Sequence, residues 1–305
     1  MEAVVFEEFG GPEVLGLREI ARPVPGPGQI RVAVRAAGVN PIDFKIRRGW
    51  MEEIFPTTLP AVPGREFAGV VDALGEGVAG VAVGDEVLGW ADSGSYAAYT
   101  LSSRYTAKPA AFPWESAAAL PVATETAGRV LGLLGVAGGE TFLVHGAAGA
   151  VGSVAAQLAV ARGARVIGTA SPAHHERLRG LGVLPVAYGD GLVGRVRELT
   201  GGAVVDVVLD ASGYGVLPDS IELRGGTTDR IVTVADMNAA DHGVAFSGGG
   251  KGDPVPALAE YARLAVEGRL RLPVSETFPL ADAVKAHEIS EAGRAGGKLV
   301  LVTRG

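Results

Sequence analysis

The chain of 305 residues contains no cysteine. It therefore forms no disulfide bond and offers no thiolate to a metal ion, which excludes disulfide scaffolds and zinc sites built from cysteines. A chain without disulfides is typical of a reducing compartment. We therefore predict a cytoplasmic protein.

Positive charge is also scarce. Lys and Arg together number 27 against 34 Asp and Glu, which gives a formal net charge of −7. This balance lacks the basic surface that nucleic-acid binding requires, so we predict no nucleic-acid partner. One stretch, residues 141–161, carries no charged side chain, but His145, Gln157 and a glycine-rich interruption argue against a membrane span there. The N-terminal residues lack the basic region and apolar core of a signal peptide, so none is expected.

What the chain does have is glycine, together with short apolar runs. Residues 1–121 hold apolar runs broken by Gly and Pro, which indicates a compact, mostly β domain. From 122 to 255 a pattern of strand, glycine turn and helix repeats, which predicts a doubly wound α/β domain with a parallel sheet. The predicted strands of this region are Thr141–His145, Arg165–Thr169, Val183–Ala187, Val204–Asp210 and Arg230–Val234. In residues 256–305 the pattern predicts two helices and a last strand, at Ala257–Glu267, Ala281–Glu291 and Lys298–Val302.

The sharpest local signal is a glycine-rich turn between the first two strands of the α/β region. It has the spacing G-x-x-G-x-x-G, follows a strand and opens an amphipathic helix, which is the context that a dinucleotide-binding turn requires. Small residues let the backbone approach a diphosphate, and the new helix offers unpaired N–H groups. His145, just before the turn, is predicted to be a packed residue. The predicted cofactor-binding residues of the turn are Gly146, Ala147, Ala148, Gly149, Ala150, Val151 and Gly152.

The end of the second strand predicts which dinucleotide binds. An NAD site usually places an acidic residue about 20 positions after the glycines, where it binds the ribose hydroxyls. In this chain Ala170 and Ser171 occupy that position, and His175 and Arg177 follow. Without a carboxylate, hydroxyl and cationic groups can bind a 2′-phosphate, so we predict NADPH rather than NADH. The alternative is that the basic residues are simply a solvated helix start.

Six motifs follow one another along the chain, at residues 37–45 (AGVNPIDFK), 63–71 (PGREFAGVV), 83–89 (VGDEVLG), 94–99 (GSYAAY), 117–127 (AAALPVATETA) and 296–301 (GGKLVL). In this order they resemble the quinone oxidoreductase, or zeta-crystallin-like, branch of the medium-chain dehydrogenase/reductase superfamily. The resemblance implies a GroES-like catalytic domain built from residues 1–121 and 256–305, with a Rossmann NADPH-binding domain, residues 122–255, inserted between them. It also implies an active site in the cleft between the domains, and a homodimer, which is common in this family.

The same resemblance implies roles for individual residues. Asn40 and Thr126 would approach the nicotinamide, whereas Tyr188 and residues 171–177 would lie near the phosphate of the adenosine. Backbone contacts to the nicotinamide are expected from Val234, Ala235, Phe246 and Ser247.

The chain departs from the zinc-containing members of the superfamily at two positions. In zinc alcohol dehydrogenases the residue at Asn40 is a cysteine ligand and the residue at Arg65 is a histidine ligand. Neither side chain of this sequence can complete the three-ligand site of a catalytic zinc. The resemblance and these departures together predict a zinc-free enzyme.

Without a Lewis acid, the alkoxide formed from a plain ketone is hard to stabilise. Hydride addition to a quinone or an α,β-unsaturated carbonyl is easier, because the charge is delocalised, and we predict this reaction with NADPH as donor. The candidate catalytic residues are Asn40, Lys45 and Tyr96. Lys45 is equally compatible with a surface lysine and Tyr96 with a core tyrosine. Asp43 is expected to hold the turn around Asn40.

Two other functions stay open. The first is an enoyl-thioester reductase of a fatty-acid or polyketide-like pathway, which needs a cationic approach for the phosphopantetheine of the carrier. Arg47 and Arg48 are the candidates for that approach. The second is a non-catalytic, crystallin-like protein that binds NADPH without oxidising it.

Overall fold

The computed structural model describes residues 1–250 and 252–303. The chain folds into two compact units. The first, which we call the terminal unit, comprises Met1–Val122 and Asp253–Gly305. The second, which we call the inserted unit, comprises Ala123–Gly252.

The strands, in chain order, are β1 (Glu2–Val5), β2 (Gly16–Glu19), β3 (Ile30–Val39), β4 (Glu66–Leu74), β5 (Glu86–Trp90), β6 (Tyr99–Ser102), β7 (Arg104–Ala107), β8 (Thr141–His145), β9 (Arg165–Thr169), β10 (Leu184–Val186), β11 (Val207–Asp210), β12 (Ile231–Thr233), β13 (Ala245–Phe246), β14 (Val274–Pro279) and β15 (Lys298–Val302). The α-helices are α1 (Pro41–Arg47), α2 (Trp114–Ala118), α3 (Leu120–Leu134), α4 (Ala150–Ala161), α5 (His175–Arg179), α6 (Leu192–Thr200), α7 (Leu217–Leu223), α8 (Val255–Val266) and α9 (Ala283–Glu291). Short 3₁₀ turns lie at Pro12–Val14, Pro172–His174, Ala239–His242 and Leu280–Asp282.

The terminal unit is built on a mixed, mostly antiparallel sheet of order β14-β15-β3-β4-β5-β7, in which β6 also pairs with β3. The first half of β3 alternates buried and half-buried residues, as expected for a strand with one face on a core. That core includes Phe6, Ile30, Phe67 and Leu301, which come from both ends of the chain. The sheet therefore joins the two sequence segments of this unit, because β15 pairs with β3.

The inserted unit is a parallel sheet of order β10-β9-β8-β11-β12-β13. Numbered within the unit, this order is 3-2-1-4-5-6, the doubly wound arrangement in which the strand order reverses between β8 and β11. Apolar residues fill the central strands, and Leu143, Ile167 and Val208 lie in one buried cluster. The predicted α/β fold class, a GroES-like β domain with a Rossmann domain, is confirmed.

Some strands have the predicted bounds and others do not. Strands β8, β9 and β15 begin and end where the pattern places them. The predicted strand Arg230–Val234 is too long, because Arg230 has a left-handed backbone with φ 58° and cannot extend the ladder. The predicted strand at Val204 begins only at Val207, since the Val205 N–H bonds to Leu223 O outside the sheet. The two residues of β13 were missed, because so short a run carries no periodic signal.

Within the two described ranges, no helix is both long enough and apolar enough to cross a membrane.

Candidate cofactor site and buried polar cluster

The glycine-rich turn connects β8 to α4 and brings its predicted residues together. Gly146 has φ +74°, a left-handed conformation that favours glycine. The Gly149 N–H closes the turn on Gly146 O at 3.0 Å. A Cβ on Gly152 would lie 2.3 Å from the same oxygen, so position 152 accepts no side chain without a backbone shift. The turn therefore packs its own backbone closely, and glycine at position 152 is what permits that packing.

The turn is also pinned to the end of β9. Gly146 N–H donates to Thr169 Oγ1 at 3.1 Å, and Ala147 N–H donates to Thr169 O at 3.1 Å. Ala147 is fully buried, and a Cβ on Gly168 would approach its Cβ to 2.6 Å. Small residues at both positions thus let the turn pack directly against the neighbouring strand.

Helix α4 presents its N-terminal amides at this turn. Its first intrahelical bond runs from Ser153 N–H to Gly149 O at 2.9 Å. The amides of Ala150, Val151 and Gly152 precede that bond, at the positive end of a 12-residue helix. Such an end is an anion site, so these residues fit the diphosphate of a dinucleotide.

The segment after β9 places basic side chains beside the turn. Arg177 Nη2 donates to Ala148 O at 2.8 Å, and His175 Nε2 lies 3.1 Å from Ala170 O. Partial burial, and then the charges of Arg177 and His175, lower the pKa of His174 below its ordinary value. Ser171 is half-buried at the start of this segment. Ser171, His175 and Arg177 thus lie on the one segment that follows β9, and no residue from 170 to 175 is acidic.

Tyr188 lies on the loop that follows β10, the strand that pairs with β9. Its side chain is 61% exposed. Its carbonyl accepts a hydrogen bond from Arg195 Nη2 at 3.4 Å. The phenol ring is therefore accessible on the surface of the inserted unit.

A buried carboxylate organises the carboxyl ends of β11 and β12. Asp210 Oδ1 accepts from the N–H groups of Ser212 and Gly213 at 2.8 and 3.1 Å, and its Oδ2 accepts from Thr233 Oγ1 at 2.7 Å. Thr233 Oγ1 in turn accepts from Ala235 N–H at 3.1 Å. The Val234 N–H bonds to Asp210 O at 3.0 Å. The predicted pair Val234 and Ala235 is thus held by Asp210 and Thr233.

Sequence reasoning missed Asp210 and Thr233. The available signal was a polar residue at the last position of an otherwise apolar strand, which occurs in both β11 and β12. In open parallel sheets, ligands bind outside the carboxyl ends of the strands, where these two residues lie.

Glu125 and Arg129, which were not predicted from the sequence, link two of the predicted nicotinamide contacts, Thr126 and Ser247. Thr126 Oγ1 donates to Glu125 Oε2 at 3.3 Å, and Arg129 Nε donates to Glu125 Oε1 at 2.7 Å. Arg129 Nη1 reaches Ser247 O at 3.3 Å and also bonds to its hydroxyl. Phe246 precedes Ser247 at the end of β13. Glu125 and Arg129 lie one turn apart on α3, and their spacing in the sequence predicts only an i,i+4 ion pair, not a bond to Ser247.

Asn40 lies in the terminal unit, at the N-cap of α1, and is buried. Its backbone N–H donates to Asp43 Oδ2 at 2.8 Å, which confirms that Asp43 holds the turn. Its side-chain Nδ2 donates to Glu66 Oε1 at 2.8 Å, and its Oδ1 accepts from Lys298 Nζ at 2.5 Å. Both ends of the amide are therefore bound.

Glu66 and Lys298 form a fully buried ion pair beside Asn40. The second carboxylate oxygen of Glu66 accepts from the Val122 N–H at 2.7 Å. Buried charges are tolerated when they are paired and hydrogen-bonded in this way. Neither residue was predicted from the sequence, although each is the charged first residue of a strand, Glu66 of β4 and Lys298 of β15.

Tyr96 is fully buried, and its hydroxyl donates to Asp43 Oδ2 at 2.9 Å. Its ring packs edge-on against His287 with centroids 5.6 Å apart. Burial raises the pKa of Tyr96 well above its ordinary value, and burial also raises the pKa of Asp43 to about 6. These contacts match those of a core tyrosine whose hydroxyl is satisfied. Lys45 is half-buried on α1.

The expectation for Arg47 is wrong. Arg47 is fully buried, its Nη2 bonds to Glu291 Oε2 at 2.5 Å, and its Nη1 lies 2.9 Å from His287 Nδ1. Arg48 Nε donates to the other oxygen of Glu291 at 2.7 Å. Arg47 is thus inaccessible to a phosphopantetheine chain, because it is used to tie α1 to α9.

The residues at the zinc-ligand positions of the terminal unit do not fit that metal. The Asn40 amide is bound to Glu66 and Lys298, and the Arg65 guanidinium lies 4.8 Å from the ring centroid of Phe55. A permanent cation at position 65 repels a divalent ion rather than binding it. Across residues 1–250 and 252–303, no three His, Cys, Asp or Glu side chains cluster in a way that could hold a metal ion.

Two protein families match the chain. The family described as alcohol dehydrogenase GroES-like domain matches residues 26–112, and the family described as zinc-binding dehydrogenase matches residues 181–301. Quinone oxidoreductase from Lama guanicoe is 32% identical, over 100% of this chain and 98% of that protein. Quinone oxidoreductase 1 from Escherichia coli is 32% identical, over 98% of each. A pikromycin polyketide synthase component, PikAII from Streptomyces venezuelae, is 37% identical over 94% of this chain and 8% of that protein.

Solved structures of similar fold cover nearly the whole chain. The quinone oxidoreductase from Coxiella burnetii has a TM-score of 0.88 at 33% identity, over 100% of this chain and 99% of that one. A mycobacterial protein complexed with NADPH has a TM-score of 0.88 at 30% identity, over 99% and 100%. The CurK enoyl reductase has a TM-score of 0.86 at 25% identity, over 99% of each chain.

Proposed function

This chain belongs to the medium-chain dehydrogenase/reductase superfamily, on its quinone oxidoreductase branch, and we propose that it is an NADPH-dependent, zinc-independent oxidoreductase. Its acceptor is a quinone or an α,β-unsaturated carbonyl. The observation that carries the proposal is the turn at residues 146–152, where glycine conformation and free helix amides fit a dinucleotide diphosphate.

The inserted unit supplies the cofactor contacts. The turn from Gly146 to Gly152 binds the diphosphate, and Ser171, His175 and Arg177 bind the 2′-phosphate, with Tyr188 near the adenosine. The absence of a carboxylate at 170 and 171 favours the phosphorylated cofactor. The nicotinamide contacts are proposed to be Thr126, Val234, Ala235, Phe246 and Ser247. When bound, NADPH supplies a hydride from the nicotinamide ring.

The terminal unit supplies the acceptor contacts. Asn40 donates from its amide to the acceptor oxygen on which negative charge develops, in the manner of an oxyanion hole. Lys45, also on α1, is proposed as a second donor. Tyr96 supports the site through Asp43, because its hydroxyl is bound there. A quinone or an enone suits this arrangement, since conjugation spreads the charge and a neutral amide is enough to stabilise it.

The proposed function is tested by NADPH oxidation, followed by absorbance, against quinones, enals, enones and enoyl thioesters. We expect turnover with 1,4-benzoquinone-like acceptors, faster with NADPH than with NADH, and unaffected by EDTA. A failure of every acceptor, or loss of activity with EDTA that zinc restores, contradicts the proposal.

The similarity to PikAII and to the CurK enoyl reductase favours one second candidate, an enoyl-thioester reductase. The buried Arg47 weakens it, because the expected cationic approach is reduced to Arg48, which is itself paired with Glu291. Enoyl thioesters in the same screen separate the two reactions. A crystallin-like binder would change NADPH fluorescence without oxidising the cofactor.

The protein is also proposed to be cytoplasmic and to act on a small molecule as a homodimer. The quinone oxidoreductase relatives support the small-molecule substrate. Light scattering of the purified chain tests the dimer, and a monomer at micromolar concentration contradicts it.

A further inference from the structure

We infer that Glu66 and Lys298 are positioning residues that fix the orientation of the Asn40 amide for the acceptor. The inference rests on the proposed function, in which Asn40 contacts the acceptor oxygen. It adds two residues that act through the Asn40 amide.

The three side chains are complementary in their hydrogen-bonding chemistry. A carboxylate only accepts hydrogen bonds and an ammonium only donates them, whereas an amide has one end of each kind. Glu66 Oε1 lies 2.8 Å from Asn40 Nδ2, and Lys298 Nζ lies 2.5 Å from Asn40 Oδ1. If the amide rotated by half a turn, its oxygen would face the carboxylate and its NH₂ group would face the ammonium. Both contacts would then be repulsive, so the ion pair permits one orientation.

The three side chains are also buried. Asn40, Glu66 and Lys298 are each no more than 5% exposed. Water therefore cannot replace either partner, and the low local dielectric strengthens both charge-assisted bonds.

The ion pair and the Asn40 backbone are themselves anchored. Glu66 Oε2 accepts from the Val122 N–H at 2.7 Å, and the Asn40 N–H is held by Asp43 at 2.8 Å. The amide is thus fixed at its backbone and at both side-chain ends. The second N–H of Nδ2 and the second lone pair of Oδ1 keep defined directions, which is the preorganisation that a hydrogen-bond donor to a developing oxyanion needs.

The test is a double-mutant cycle on kcat with 1,4-benzoquinone at saturating NADPH, using Asn40→Ala, Lys298→Met and the double variant. We expect Lys298→Met to lower kcat about tenfold or more, with the NADPH Kd from fluorescence unchanged within about twofold. In the Asn40→Ala background the lysine change should lower kcat no further, because it acts through Asn40. Independent, multiplicative effects overturn the inference, as does an unchanged kcat in a folded Lys298→Met protein.

Lys108→Met is the matched control. Lys108 is another buried lysine of the terminal unit, paired with Glu86 at 2.8 Å and bonded to Phe112 O at 2.8 Å. Neither of these bonds involves Asn40. Replacing Lys108 should therefore destabilise the protein without lowering kcat. If Lys298→Met does not fold, the neutral pair Glu66→Gln with Lys298→Met replaces it. That pair leaves no buried unpaired charge and should show the same loss of kcat.

A second measurement does not depend on catalysis. With asparagine labelled by ¹⁵N, the Asn40 side-chain amide should exchange slowly with solvent in the wild type and much faster in Lys298→Met. Rapid exchange in the wild type overturns the positioning role, whether or not quinones are reduced. If the exchange is slow but none of the acceptors tested supports NADPH oxidation, the positioning role stands and the proposed function is contradicted instead.

Discussion

The two units build their proposed sites from different material. The inserted unit uses backbone: the amides of α4 and the carbonyl of Gly146 define the turn, and glycine is needed because side chains would block it. The terminal unit uses side chains: Asn40 is held by a carboxylate and an ammonium from two other strands. A backbone site is sensitive to added atoms, whereas a side-chain site is sensitive to lost or neutralised charges. The four experiments below test this contrast.

The largest effect is expected from Gly152→Ala. The new Cβ would meet Gly146 O at 2.3 Å and Gly146 C at 2.8 Å, and the N–H of Gly146 is itself bound to Thr169 Oγ1. We expect NADPH Kd, measured by fluorescence, to rise about 100-fold, equivalent to roughly 2.8 kcal/mol. Gly194→Ala, within α6 and with nothing within 4 Å of its Cβ, is the matched control and should stabilise the helix by about 0.5–1 kcal/mol. Equal NADPH affinity in the two variants would show that the turn does not bind the cofactor.

The second effect concerns pH and the terminal unit. Burial raises the pKa of Asp43 in the folded protein to about 6, against an ordinary value of 3.8. The folded state therefore binds the proton more tightly, so this contribution to stability is fully present below pH 3.8 and is lost as pH rises through 6. Asp43→Asn removes the ionisation and should flatten that decline.

Tryptophan fluorescence during urea unfolding measures it, because Trp50, Trp90 and Trp114 all lie in the terminal unit. Tyr96→Phe serves as a comparison that removes the hydroxyl bonded to Asp43 but keeps the carboxyl. A decline that persists in Asp43→Asn would assign the pH dependence to another group.

The third effect concerns cofactor choice. Ser171→Asp places a carboxylate at the position where NAD sites carry one, whereas Ala170 is buried and is a worse place for a charge. We expect the ratio of kcat/KM for NADPH to that for NADH to fall about tenfold, because the carboxylate repels the 2′-phosphate. Ser171→Asn is the uncharged control of the same shape. An unchanged ratio in the aspartate variant would mean that residue 171 does not face the adenosine ribose.

The smallest effect is expected in the inserted unit, at Glu140. Its hydrogen bond to Arg230 lowers the pKa of Glu140 to about 2, against an ordinary value of 4.5. Stability from this pair is present above pH 4.5 and is lost as pH falls toward 2, opposite in sign to Asp43. Both side chains are partly exposed, so we expect Glu140→Gln to cost less than about 1 kcal/mol at neutral pH. Hydrogen exchange of the β8 amides measures it, and a cost that grows as the pH falls would contradict the assignment.

The glycine turn was predictable because its signal is local. Strand β8, the turn and strand β9 occupy one continuous segment, and each residue type there is required by the conformation of its own backbone. The strand ends at Val204 and Arg230 were not predictable, because they depend on a long-range backbone bond and on a left-handed residue.

The polar cluster of the terminal unit was only partly predictable. Asn40 was selected by resemblance, and Asp43 was expected to hold the turn around it. Glu66 and Lys298 were not selected, because their partners are distant in sequence: Lys298 lies 258 positions from Asn40. Asp210 and Thr233, 23 positions apart on neighbouring strands, were missed for the same reason. The hydrophobic pattern of a strand does not predict which buried polar residues of different strands will be hydrogen-bonded to one another.

The sequence by itself determined the fold class, the family and the glycine-rich turn, since these follow from hydrophobic period, glycine placement and ordered motifs. Only the tertiary structure decided which polar and charged side chains are accessible to a ligand and which are bound to other residues. It buried Arg47 against Glu291 and His287, bound Tyr96 to Asp43, and placed Glu66 and Lys298 on either end of the Asn40 amide. The reason is physical: burial and the identity of the partner set the chemistry of a polar side chain, and both depend on residues that are far apart along the chain.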